Sequence, residues 1–285
     1  VPVAVITDST AHLPEGFAER FAVKVVPLHV LIDGVAALDG VDVGPEALAE
    51  ALAQRRIVTT SRPTPNEFVK AFQSALSDGA DAVVSLHLSR EISGTWESAV
   101  LAAQEVGIDR VRVVDSRSTA MGLGFAALHA ARAANAGAEP EEVEEAAVTA
   151  AASSQTFFVV ETLEYLRRGG RIGSAAALLG TALAVKPLLH MDDGQIKPLE
   201  KVRTMHRAIA RMVELAQRAA GEERVEVAVH HLASPERAVE LANRVEEQLP
   251  VSGGCLISEV GAVIGAHTGP GVVGVVVQRG PGILD

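Results

Sequence analysis

The sequence predicts an α/β protein of two domains: an N-terminal three-layer α/β/α domain with a mostly parallel sheet, and a C-terminal α/β domain with a mixed or antiparallel sheet. Three observations predict it. Through the first half, short β-branched runs alternate with longer Ala-rich amphipathic stretches, the pattern of parallel βαβ units. After Ala152 the alternation gives way to a hairpin signal, Asp192-Asp193-Gly194, because Asp-Gly readily supplies the positive φ angles of a tight turn. The 285 residues also suit two domains of about 140 residues, each able to bury a core. The expected boundary lies near residue 155, giving 1–155 and 156–285.

The elements follow in order. Strands are expected at Val3 to Ile6, Val25 to Leu31, Ala82 to His87 and Val111 to Val114. Between and after them lie helical patterns at Pro45 to Ala53, Glu67 to Leu76, Trp96 to Val106 and Gly124 to Ala136, then Pro140 to Ala152. The second half opens on a strand, Phe157 to Glu161, a short helix, Leu163 to Arg168, and an apolar helix, Ala175 to Val185. Pro187 to Met191 and Gln195 to Leu199 form the hairpin, and a long helix runs from Thr204 to Arg218. The strand Val225 to His230, the helix Pro235 to Gln248, and the strands Leu256 to Val260 and Val272 to Val277 complete the chain.

Composition excludes several functions. Apolar residues make up 48% of the chain, yet seven Phe, one Trp and one Tyr are its only large aromatic side chains. The net charge is −11. Basic grooves and stacking platforms, the equipment of nucleic-acid binding, are therefore missing. Cys255 is the single cysteine, which precludes an intramolecular disulfide or a Cys-based zinc cluster and reads as a small buried hydrophobe. Neither the start, Val1 to Ile6, nor the apolar stretch ending at Lys186 has the length of a signal h-region or a membrane span. A cytoplasmic protein without a transmembrane segment is expected, and transient membrane contact is compatible with that.

In open α/β sheets ligands bind beyond the carboxyl ends of the strands, and four such ends are polar here. Thr7-Asp8-Ser9-Thr10 reads as turn and cap chemistry. In Thr59-Thr60-Ser61-Arg62-Pro63-Thr64-Pro65-Asn66-Glu67, a capping box accounts for Thr64, Pro65 and Glu67. It leaves Thr60 and Ser61 as loop hydroxyls without a structural task. Ser93, Gly94 and the first N–H groups of the next helix could either cap it or receive an anion. The fourth end is Asp115-Ser116-Arg117-Ser118-Thr119. The string Gly122-Leu123-Gly124-Phe125-Ala126-Ala127 fits a dinucleotide fingerprint only in letters, since its first Gly lies eight residues past Val114 rather than in a strand-to-helix turn. No Walker A loop, zinc-protease motif or nucleophile elbow is present. His230 and His231 are neighbours on a strand, pointing to opposite faces, and make poor co-ligands. In the second half, Arg167-Arg168-Gly169-Gly170-Arg171-Ile172-Gly173 gathers positive charge at a helix end, and Gly265-Ala266-His267-Thr268-Gly269-Pro270-Gly271 reads as a tight loop between strands.

Taken together these segments resemble the DegV family from end to end. The matching strings are Thr7-Asp8-Ser9-Thr10, Val26-Pro27-Leu28, Asp39-Gly40-Val41-Asp42, Thr60-Ser61-Arg62-Pro63, Ile92-Ser93-Gly94-Thr95, Val114-Asp115-Ser116, Gly169-Gly170-Arg171-Ile172, Lys186-Pro187, Lys201-Val202-Arg203 and His267-Thr268-Gly269-Pro270-Gly271. Each alone is weak; in this order and spacing they are strong. The resemblance implies a two-domain α/β fold holding one long-chain fatty acid, such as palmitate, between the domains. It implies an acyl carrier that catalyses nothing itself and needs no cofactor or metal, presenting its fatty acid to an ATP-dependent fatty acid kinase that makes an acyl phosphate. Thr60 matches the hydroxyl that binds the carboxylate, Ser93 a further polar contact, and His267 the histidine beside it. Ser61, Gly94 and Arg62 complete the expected headgroup contacts. Arg171 and Arg203 match basic residues of kinase docking or phosphate contact. The sequence departs from the family at Arg62, where Gln is usual. Two other readings stand beside the carrier: a small-molecule enzyme of acyl or phosphoryl transfer using the Ser/Thr/His/Asp cluster, and a lipid-sensing regulatory protein.

Overall fold

A computed structural model describes residues 1–178 and 185–283. The chain begins with β1 (Val3–Asp8), a 3-10 turn (Ser9–Ala11), a short α1 (Phe17–Arg20) and β2 (Val23–Val26), followed by β3 (His29–Ile32), β4 (Val35–Leu38), α2 (Pro45–Ala53) and β5 (Val58–Ser61). Next come α3 (Pro65–Ser77), β6 (Ala82–His87), α4 (Thr95–Val106), β7 (Val111–Asp115), α5 (Met121–Asn135) and α6 (Pro140–Ala152). The remainder is β8 (Ser154–Val159), α7 (Glu164–Arg168), a 3-10 helix (Gly173–Leu178), β9 (Lys186–Asp192), β10 (Gln195–Val202), α8 (Met205–Ala220), β11 (Val225–His231), α9 (Pro235–Gln248), β12 (Val251–Glu259), α10 (Ala262–Thr268) and β13 (Val273–Arg279).

These elements form two compact units, one of Val1–His29 with Ser61–Ser153, the other of Val30–Thr60 with Ser154–Asp285. The chain therefore passes between units at 29–30 and 60–61 as well as at 153–154.

In the first unit β1 pairs in parallel with β2 and β6, and β6 in parallel with β7, giving the order β2-β1-β6-β7. All six residues of β6 are buried, as a central parallel strand covered on both faces requires. One layer is α3 with α4, the other α5 with α6. Phe68 and Phe72, one helical turn apart on α3, pack with Ile6, Val83, Ala99 and Ala102 into a core. The expected capping box is present, with Glu67 Oε2 accepting from Thr64 N at 2.7 Å and Thr64 Oγ1 from Glu67 N at 3.4 Å.

The second unit holds a six-stranded mixed sheet, β10-β9-β8-β13-β11-β12, in which only β11 and β12 are parallel. The β9–β10 hairpin turns through Asp193 and Gly194, both at positive φ. Thr204 caps α8, accepting from Arg207 N at 3.2 Å. The apolar face of α8, Ile209, Met212, Val213 and Ala216, joins Leu241 and Val245 of α9 and Val227, Val229 and Val275 of the sheet in one core.

Several expectations need correction. The strand expected at Val25 to Leu31 is two strands in different sheets, because Pro27 has no N–H to donate and Leu28 N turns to Ser9 Oγ at 3.1 Å. The structure adds a three-stranded sheet, β4-β3-β5, that the sequence pattern does not predict. Its β3–β4 turn, Asp33-Gly34 at φ 52° and 84°, carries the same Asp-Gly signal as the hairpin that was found. Thr60 and Ser61 lie on β5 rather than in a loop. The segment Gly265–Gly271 is not a loop between strands: α10 runs to Thr268, so His267 occupies a helical last turn. The helix expected at Ala175 to Val185 falls partly on 179–184, outside the described residues; the part that is described ends a 3-10 helix.

Candidate functional site

Within the second unit, β5 and α10 bring together two residues 207 positions apart. Thr60 Oγ1 lies 2.7 Å from Nε2 of His267. The ring edge at Nδ1 faces Gly169, the residue closing α7, so closely that a Cβ there would stand 2.0 Å from Nδ1. A side chain at 169 would displace the imidazole, which gives that glycine its physical reason. Burial, with the charge of Arg171 adding to it, lowers the His267 pKa to about 4, and the ring is neutral at pH 7.

A neutral imidazole carries one proton. Nδ1 is buried without a hydrogen-bond partner among the described residues. A buried lone pair at Nδ1 is cheaper there than a buried unpaired N–H. The proton therefore belongs on Nε2, which donates to Thr60 Oγ1. The Thr60 hydroxyl hydrogen is left to donate elsewhere, to an acceptor such as a carboxylate oxygen. The pair thus offers a polarised neutral donor without burying an unpaired charge.

The arginines of this unit behave differently from one another. Arg167 and Arg168 both bind Glu164, at 2.7 Å each, and hold its carboxyl well below the usual carboxylate range. One of the cluster's three positive charges is therefore offset within one helical turn, and both arginines stay largely exposed. Arg171 donates instead to the Gly169 carbonyl. Arg203 is exposed just before the α8 cap.

In the first unit, Arg62 lies across Gly94 and donates from Nη1 to its carbonyl at 3.2 Å. A Cβ at Gly94 would meet that nitrogen at 1.9 Å, so the bare glycine makes room for the guanidinium. Ser93 Oγ accepts from Thr95 N at 3.3 Å and lies 2.9 Å from Thr95 Oγ1, a capping arrangement that leaves Ser93 half-exposed. Ser61 is exposed at the end of β5.

The other polar strand ends are structural. Asp8 accepts from Thr10 N at 3.0 Å and Thr10 Oγ1 at 2.6 Å through Oδ1, and from Leu88 N at 3.0 Å through Oδ2. Oδ2 also lies 3.1 Å from His87 Nδ1, and His87 Nε2 lies 2.7 Å from Ser85 Oγ. This is the order of a Ser-His-Asp relay, which the sequence reading missed because Ser85 and His87 sit inside a strand. All three residues are 0% exposed, so no substrate can reach Ser85 Oγ and the relay cannot serve as a nucleophile. It fastens β1 to β6 at the point where strand order reverses. Asp115 Oδ1 is committed to Arg117 N at 2.9 Å and Arg90 N at 3.3 Å. The string Gly122–Ala127 lies inside α5, with no strand-to-helix turn for a dinucleotide. His230 meets Ser258 at 2.9 Å, and His231 faces Glu259 at 3.6 Å. Burial, with Glu246 nearby, pushes the Cys255 thiol up to about 12, where it is unreactive.

A parallel-sheet unit and a mixed-sheet unit, with a threonine-histidine pair beside a glycine-lined helix end, define a class of two-unit α/β proteins with known relatives. The family model described as "Uncharacterised protein, DegV family" matches residues 2–280. A DegV domain-containing protein of Streptomyces coelicolor is 53% identical over 276 residues, 97% of this chain and 98% of that one. Among solved structures, a DegV family protein of Thermus thermophilus described by its fatty acid binding matches with TM-score 0.93 and 34% identity, covering 98% of this chain and all of that one (100%). DegV of Bacillus subtilis, described as a fatty acid binding protein, matches with TM-score 0.88 and 34% identity, over 98% and 99% of the two chains. The chain belongs to the DegV family.

Proposed function

We propose that this protein binds one long-chain fatty acid, such as palmitate, and acts as an acyl carrier that presents the carboxylate to an ATP-dependent kinase for acyl phosphate formation. The observation that carries the reading is the Thr60–His267 hydrogen bond, with its neutral imidazole, in a family whose solved relatives are described as fatty acid binding. Thr60 donates to the carboxylate and His267 holds the hydroxyl in the donating orientation. Ser61, Arg62, Ser93 and Gly94 are the further headgroup contacts, on the strength of the family resemblance. Arg171 and Arg203 face the kinase or its phosphate on the same ground.

The energetics suit a carrier. Burying about 15 methylenes at roughly 0.8 kcal/mol each supplies on the order of 12 kcal/mol of gross driving force, before the cost of association. The tail provides affinity, and the headgroup contacts need only orient an oxygen for a partner. Organic extraction of the purified protein followed by mass spectrometry tests the reading. A long-chain fatty acid in near-equal amount to the protein is expected; protein that is ligand-free and also ignores added palmitate overturns it. Thr60→Val, which keeps shape and removes the hydroxyl, should weaken palmitate binding about tenfold.

A further inference from the structure

The helix that carries His267 is held from outside. At seven residues, α10 is too short to be stable alone, and the glycine that precedes it, Gly261, offers no side-chain cap. Its first N–H groups are taken by Asp39, more than 220 positions earlier: Oδ1 accepts from Ala262 N at 2.8 Å and Val263 N at 3.4 Å. Asp39 is 3% exposed and is itself anchored by a bridge to Val43. In mid-helix, Gly265 lies so close to Leu48 of α2 that a Cβ would stand 2.4 Å from Leu48 Cδ2. At the far end His267 meets Thr60. Asp39, Leu48 and Thr60 all belong to the Val30–Thr60 segment that the second unit takes from the first half of the chain. That one segment grips α10 at its start, middle and end.

We infer that Asp39 is a positioning residue for the headgroup pair: by capping α10 it sets the height and rotation at which His267 meets Thr60. The N–H groups need an acceptor in any case, but water or a shorter side chain would satisfy them without fixing the axis. A buried acceptor oxygen held against two successive N–H groups fixes it by geometry. The inference rests on the reading of Thr60 and His267 as headgroup contacts, while its primary readout is independent of lipid.

The experiment reads the imidazole 15N resonances of His267, assigned by their loss in His267→Gln, in the full-length protein with Asp39→Ala and Asp39→Asn. In Asp39→Ala the His267 signals should move away from the Nε2–H pattern, and palmitate affinity should fall about tenfold, as for a lost helix cap. Asp39→Asn keeps the acceptor oxygen and should restore both. Unmoved His267 signals in a folded Asp39→Ala protein overturn the inference, as does equal impairment by both variants. Should Asp39→Ala fail to fold, Asp39→Asn is read alone. Protected Ala262 and Val263 amides with near-native His267 signals support the inference, and protected amides with displaced signals overturn it. If His267 moves as expected while wild-type protein never binds palmitate, the positioning role stands and the carrier reading falls.

Discussion

His267 shows how much a single side chain can owe to its surroundings. Its pKa falls to about 4 because the ring is buried beside Arg171, whereas in the unfolded chain it lies near 6.5. A base with a lowered native pKa contributes stability that is complete above pH 6.5 and is lost as pH falls through about 4, since the unfolded chain binds the proton first. His129, lowered to about 4 by burial, acts in the same direction. Denaturant melts of wild type and His267→Gln between pH 7 and pH 4 should therefore differ in slope. The variant should lose less stability on acidification, by on the order of 3 kcal/mol. Equal slopes would show that His267 is protonated at an ordinary pH. Arg62 makes a separate case, for it was recognisable as a departure from the family, and only the structure shows it seated on Gly94.

Among the elements, those with strong local signals matched their expectations closely. The bounds of α2, α6 and α9 coincide with the proline-started patterns, because Pro at the first turn is a local fact of the chain. The short elements did not announce themselves: β4, β5 and α10 run four to seven residues, too few for a period to emerge. Two of them carry the pair at the centre of the candidate site, and both are held by residues remote in sequence. Gly169 is where element packing can be tested directly. Its own φ of −73° suits alanine, so Gly169→Ala leaves α7 free to form but drives a Cβ into His267 Nδ1. Palmitate binding should fall at least tenfold while the thermal midpoint drops only by what about 1–3 kcal/mol of overpacking implies. Unchanged binding would remove Gly169 from the account.

For the molecule as a whole, the proposed fatty acid ligand admits two roles. A carrier and a lipid-sensing regulator share the same headgroup chemistry and differ in their partner. Arg171 separates them, since its guanidinium is turned to the Gly169 carbonyl at the edge of the candidate site. Arg171→Ala should retain extracted fatty acid yet reduce acyl phosphate formation with a fatty acid kinase by tenfold or more, as the loss of a charge-assisted contact implies. Full phosphate transfer by that variant would remove the assigned docking role. The enzyme reading is already weakened by burial, because the Ser-His-Asp sequence of contacts seen among the described residues, Ser85, His87 and Asp8, has no exposed atom to offer.

The sequence by itself determined the α/β class, the parallel and mixed sheets, most long elements and the family, because periodicity, caps and ordered motifs are written in neighbouring residues. It also singled out Thr60, as a hydroxyl the capping box leaves over, and His267, among small residues, and their roles came from the resemblance. Only the tertiary structure decided that those two side chains touch, that Thr60 lies on a strand and His267 on a helix, and that Arg167 and Arg168 share Glu164. It alone shows Asp39 capping a helix from the other half of the chain. Contacts between residues some two hundred positions apart leave no period and no local composition to read; they exist only once the core has fixed where each strand and helix ends.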